Sequence, residues 1–211
     1  MRLGFVQGTL RRLAAHELRM FTSFGLWIAR RRHQVRSADR PFGYASPQAA
    51  TVYGLAFVCV VETVGVSFMV RDWPAVHAVL LVLDLYTVLL VLGTQAVAVT
   101  RPHVLTPDTL RLRRGVQVDL AIPLAHITSV REELRFGDGK ATPEEVLDLA
   151  VGSQTSLTVE LAAPVTHVQL LGKRRQVTTV RFHADRAGEL AKALRAAVAA
   201  GPGSPEDWGH P

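Results

Sequence analysis

The sequence predicts a membrane α-helical hairpin followed by a mainly β domain of about seven strands, a barrel or sandwich closed by a C-terminal helix. Three observations carry this expectation. Residues 49–71 and 75–100 are long aliphatic stretches, residues after Arg101 alternate apolar and polar with period two, and 186–200 carry apolar side chains at helical spacing. The chain has 211 residues, 48% of them hydrophobic but only 7% aromatic, and a mean hydropathy of +0.19. The apolar excess is therefore aliphatic, in an amount that disordered and collagenous chains lack. One cysteine, Cys59, leaves no internal disulfide and no multi-cysteine metal centre.

Residues 1–36 read as a helical arm. Phe5, Leu10, Leu13, Leu18, Phe21, Phe24, Trp27 and Ile28 recur at helical spacing between arginines, and Arg30, Arg31 and Arg32 follow directly. An arginine face beside a Phe/Leu/Trp face suits a helix lying in a membrane interface. It equally suits a helix packed on protein with its charges in water. Residues 37–48 are rich in Pro, Gly and Ser and read as a linker.

Each aliphatic stretch that follows is long enough to cross the hydrocarbon core, which takes about 20 helical residues. Arg71-Asp72-Trp73-Pro74 separates them, a charged, aromatic, helix-breaking turn suited to the interface. Residues 1–48 hold nine arginines against Glu17 and Asp39, and the second stretch runs into Arg101, Arg111, Arg113 and Arg114, while the turn between holds only Arg71. Basic flanks stay on the cytoplasmic side. The expectation is a multi-pass cell-membrane protein with both termini cytoplasmic, and no apolar core of a signal peptide precedes it.

Within the spans, Glu62 lies eleven residues before Trp73 and Asp84 eleven after, so an antiparallel hairpin sets them at similar depth. Thr63 shares a helical face with Glu62, and His77 and Thr87 share one with Asp84. Acids inside a membrane are costly and face protein or water. Two roles stand open: a polar fastening of the hairpin or of a homo-oligomer, or a path for protons or cations.

Beyond Arg101, the alternations Leu110/Leu112, Val118/Leu120/Ile122, Leu157/Val159/Leu161 and Val180/Phe182 mark half-buried strands. Breaks fall at Thr106-Pro107-Asp108, Arg114-Gly115, Phe136–Gly139, Gly152-Ser153 and Leu171–Lys173. His183 alternates to the solvent side. Asp185 is placed to cap a helix over 186–200, which Leu190, Leu194 and Val198 stripe and Gly201 ends. Domain 101–200 is thus followed by a Pro/Gly-rich tail, 201–211, expected to be disordered.

The run His103–Gly115, HVLTPDTLRLRRG, resembles the first hairpin of bacterial PH-like domains, and Ile122-Pro123-Leu124 with Ile127–Val130 resembles their next element. The resemblance covers roughly 101–198 and departs from the family in an acidic loop at 137–145 and a long connection at 162–176. It implies a PH-like domain on the cytoplasmic side of a two-helix hairpin, and a binding or scaffold role without catalytic residues. The chain carries no G-x-S-x-G, H-E-x-x-H, Walker A or G-x-G-x-x-G pattern and no metal-ligand spacing among its eight histidines, so no enzyme, metal or cofactor is expected. Nucleic acid is not an expected partner either, since the basic charge precedes the spans and no recognition motif accompanies it. The expected partners are the bilayer and a protein or second copy. Arg111, Arg113, Arg114, Lys173, Arg174 and Arg175, with Arg30–Arg32, are candidates for contact with anionic lipid.

Overall fold

The computed structural model describes residues 20, 22–30, 33, 35–36, 39–137, 143–168 and 174–201. Most of the predicted arm, Arg31, Arg32, Lys173, most of the acidic loop and the tail past Gly201 lie outside the described residues. Within the arm, residues 22–28 are helical.

The first strand, β1 (Arg40–Phe42), comes before the apolar helices α1 (Ser46–Met69) and α2 (Pro74–Thr100). Proline at the first turn of each helix supplies a preset φ where no backbone donor is needed. Both helices are long and apolar enough to cross a membrane, and almost none of their apolar windows is buried within the chain. Half-buried positions recur on α1 at Val52, Cys59, Thr63 and Val66, around buried Ala56, and on α2 at His77, Leu80, Asp84, Val88 and Val91. Steps of three and four residues keep these positions on one seam, along which the two helices pack. The last turns of α2 change character. Gly93 and Gln95–Ala98 are buried, and a Cβ on Gly93 would sit 2.8 Å from Met20 Cγ of the arm.

Seven strands follow: β2 (His103–Leu105), β3 (Thr109–Arg114), β4 (Val118–Pro123), β5 (Ile127–Phe136), β6 (Val146–Leu149), β7 (Gln154–Val168) and β8 (Arg174–Phe182), before α3 (Ala187–Ala200). They form two four-stranded sheets, in order β1-β2-β3-β4 and β5-β7-β8-β6. Every pairing is antiparallel except β6 with β8. No closed barrel forms, because β4 and β5 are each the end strand of a different sheet.

The core lies between the sheets and α3. Leu110, Leu112, Ile122, Leu157, Val159, Val180 and Phe182 meet Leu190 and Leu194, and all but fully exclude solvent. Gly201, at φ 77°, ends the helix as its sequence suggests.

The region 37–48 is not a linker where described. β1 pairs with β2, Arg40 opposite Leu105 and Phe42 opposite His103, and Phe42 enters the core. An apolar side chain between two proline/glycine breaks was enough to make a strand once β2 offered an open edge. The helical hairpin is therefore an insertion between two paired strands. The connection expected at 162–176 is also mostly strand. β7 runs on to Val168, and its pairing with β8 slips between Glu160 and Val165 at the bulge holding Pro164, a place where a missing amide hydrogen costs no ladder bond.

Candidate functional site

Two side-chain assemblies sit where the sheets meet the base of the helices. The first is a joint. Asp185 does not cap α3, whose N-cap residue Arg186 makes no side-chain cap bond. Its carboxylate instead accepts hydrogen bonds from the Ser46 backbone N–H at 3.0 Å and the Ser46 hydroxyl at 2.5 Å. It thus satisfies an otherwise orphaned donor at the start of α1 and complements that helix's dipole from 139 residues away in sequence. The Asp185 amide donates to the Gly43 carbonyl at 2.8 Å, and a Cβ on Gly43 would lie 2.6 Å from the Asp185 carboxylate, so a larger residue there would push the carboxylate off Ser46.

Tyr44, two residues before Ser46, is buried. Its ring stacks on His103 with centroids 4.8 Å apart, and its hydroxyl oxygen accepts from the Gly115 N–H at 3.0 Å. Burial pushes the phenol up to about 12. His103 Nδ1 accepts from the Arg113 N–H at 3.1 Å, and Nε2 lies 2.9 Å from the His183 carbonyl. Since a carbonyl only accepts, the ring is neutral with its proton on Nε2. Burial, more than any neighbouring charge, lowers its pKa to about 4.

His183 was expected to face solvent and is buried instead. Both ring nitrogens lack a hydrogen-bond partner, and Nε2 stands 3.7 Å from the Asp185 carboxylate, too far for a hydrogen bond. Burial lowers its pKa against the pull of Asp185. The residue lies just past Phe182, the last residue of β8, where strand alternation no longer sets which side chains meet water.

The second assembly is an open cleft of about 820 Å³ between Thr22, Gly25, Leu26 and His33 of the arm, the end of α2 and the β3–β4 hairpin. Arg101, Arg111 and Arg113 line it with one carboxylate, Asp119. Arg111 and Arg113 fall on the non-core face of β3 because Leu110 and Leu112 take the core face. Arg111 donates two 2.6 Å bonds to Asp119, and Arg113 Nε stands 3.9 Å from the same carboxylate. Arg113 also donates to the His33 carbonyl at 3.0 Å, and Arg101 Nε to the Ser23 hydroxyl at 3.3 Å.

Burial works to raise the Asp119 carboxyl, but hydrogen bonds and charge from Arg111, then Arg113 and Arg101, hold it below its ordinary range. Arg113 is pushed down by burial and by the charge of Arg111. The same three guanidiniums add to burial in lowering His33. Period-two patterning predicts an exposed Arg113. The side chain is 3% exposed, because the arm lies over it.

Among the described residues, the predicted lipid-contact arginines are not brought together as one surface. Arg111 and Arg113 share the cleft, while Arg114 lines a separate cavity of about 290 Å³ with Met20, Gln48 and Thr94. Arg174 and Arg175 begin β8, roughly 25 Å of strand from the Phe182 end that reaches α1. Arg175 there bonds the carbonyls of Pro143, Glu144 and Val146, bracing the entry to β6. Arg30 is exposed, with φ 52°.

Of the membrane group, Asp84 and His77 lie on the seam, and Glu62 is exposed on the flank of α1. The Thr63 hydroxyl donates to the Cys59 carbonyl and that of Thr87 to the Leu83 carbonyl, so each bonds its own helix rather than an acid. Among the described residues, no group of three or more His, Cys, Asp or Glu side chains could hold a metal ion.

The sequence reading missed Tyr44, His103, His33 and Asp119 as site residues and gave Asp185 the wrong helix. Only HVLTPDTLRLRRG, through Arg111 and Arg113, marked the region in advance. No protein-family model, curated protein or solved structure matches the chain.

Proposed function

We propose that the chain is a non-enzymatic, membrane-tethered interaction or scaffold protein. In this reading α1 and α2 cross the cell membrane, both termini are cytoplasmic, and a PH-like β domain is presented at the cytoplasmic face. The observation that supports it is the joint. The Asp185 carboxylate on Ser46 and the Tyr44 hydroxyl on the Gly115 amide fasten the β region to the helix bases, so its outer surface holds a fixed attitude to the bilayer. A partner would then meet an oriented surface rather than a tethered, tumbling one.

A rival use of Glu62 and Asp84 in transport draws less support, since one acid sits on the seam and the other on an exposed flank. The test replaces both acids by alanine in the full chain. A scaffold keeps its crosslinked partner in native membranes, and proteoliposomes of the parent chain pass no ions. A pH-dependent flux that the double variant abolishes would overturn the scaffold reading.

A further inference from the structure

We propose that the Arg101/Arg111/Arg113 cleft holds the phosphate of an anionic phospholipid headgroup. The inference rests on the reading that α1 and α2 cross the bilayer. Three features of the cleft converge on such a ligand. The first is charge: Arg101 and Arg111 line it half-exposed, with the buried Arg113 adding its charge behind them and one carboxylate among the described residues, and guanidiniums suit phosphate oxygens. Arg113 is fixed in place by the His33 carbonyl, and Arg111 by Asp119, so the cationic wall is preorganised.

The second feature is depth. Arg101 follows the last residue of α2 directly, and the helix passes from exposed apolar positions to buried ones at Gly93. The cleft therefore begins eight residues, about 12 Å of helix, beyond the level where α2 stops facing hydrocarbon, a distance that long arginine side chains and a projecting headgroup can bridge.

The third feature is amphipathy. Its apolar side chains are Leu26, Val116 and Val118, and next along the arm come Ile28, 70% exposed, and the edge-to-face pair Phe24–Trp27. An inorganic anion uses only the arginines. A phospholipid also uses the apolar walls, its phosphate on the guanidiniums and its chains running past Leu26 toward the lipid-facing side of α2.

Native mass spectrometry of the full chain, delipidated in mild detergent, tests this with phosphatidylglycerol, phosphatidylcholine and glycerol 3-phosphate as probes. One phosphatidylglycerol should be retained in preference to the other two. Arg101→Gln and Arg111→Gln should each weaken retention about tenfold, a difference of about 1.4 kcal/mol. Asp119→Asn should strengthen it several-fold, an opposite sign that lost folding cannot produce. Arg186→Gln, at an exposed position just before α3, should change nothing. Equal retention of both phospholipids, or a loss with Asp119→Asn while the melting curve stays that of the parent, overturns the site. Glycerol 3-phosphate bound as tightly as the lipid overturns the lipid source. Extraction of the chain from membranes by alkaline carbonate overturns the spanning reading itself, whichever way the titration falls.

Discussion

At the residue scale, His103 makes stability depend on pH. Folded, it is neutral and its pKa is about 4, while an unfolded histidine titrates near 6.5. Between those values the unfolded chain takes up a proton that the folded chain refuses, so stability falls as pH falls. The contribution is complete above about pH 6.5, and about 3 kcal/mol of it is gone near pH 4. Denaturation of the full chain in detergent should show this slope, and His103→Gln should flatten it even if the variant is weaker at every pH. Ser46→Ala removes one hydrogen bond to Asp185 and leaves the amide bond. It should cost about 1 kcal/mol, and Asp185→Ala, which loses both, should cost more. Equal melting curves for Asp185→Ala and the parent would mean that the joint adds nothing to stability.

At the element scale, the turn before β7 and the closing helix are the sensitive places. Gly152 and Ser153 both have positive φ, 57° and 61°, between Val151 and Gln154, which exchange backbone hydrogen bonds. That is the two-residue hairpin geometry that favours glycine. A Cβ on Gly152 would also meet Pro47 Cβ at 2.9 Å and its carbonyl oxygen at 3.0 Å, at the start of α1. Gly152→Ala should therefore destabilise by about 2 kcal/mol or more, beyond the roughly 1–2 kcal/mol that positive φ alone costs. Ser153→Gly, where φ is also positive but the added freedom is harmless to the fold, should be near neutral by the same melting assay. In α3, Leu190→Asp or Leu194→Asp places an unpaired charge under the closing helix and should unfold the β region, seen as loss of its cooperative transition.

At the scale of the whole molecule, the insertion of the helical hairpin between β1 and β2 has a direct consequence. A fragment of residues 101–201 lacks β1, leaves β2 as a bare edge and loses Phe42 and Tyr44 from its core. Joining residues 39–45 to 101–201 through a short Gly/Ser linker restores all three. The fused fragment should be more stable than the shorter one by about 3 kcal/mol or more, since one buried Phe alone contributes about 2–3 kcal/mol. Matching denaturation midpoints would show that β1 is dispensable. For the proposed orientation, a reporter active only outside the cytoplasm should respond when inserted at Asp72 and stay silent at Ser37 or after Pro211. Activity at either terminus reverses the arginine argument.

Local chemistry decided what the sequence could show by itself. Two apolar runs too long for ordinary core helices, the Leu110/Leu112 and Val180/Phe182 alternations, the Leu190/Leu194 stripe and the Gly201 stop are each set within a few turns of chain, where hydrophobic period and backbone preference act alone. Tertiary structure decided the rest, because each remaining feature depends on a partner far along the chain. Phe42 reads as part of a linker until β2 presents an edge sixty residues later. Asp185 reads as the cap of the helix beside it until the start of α1 arrives with an unsatisfied amide. Arg113 and His183 sit at alternating positions that pattern assigns to water, and both are buried, Arg113 against the His33 carbonyl from before the spans. The cleft follows the same rule: its arginines are visible one by one, but their shared carboxylate, their depth at the end of α2 and their apolar walls exist only after the arm, the helix and the β3–β4 hairpin have met.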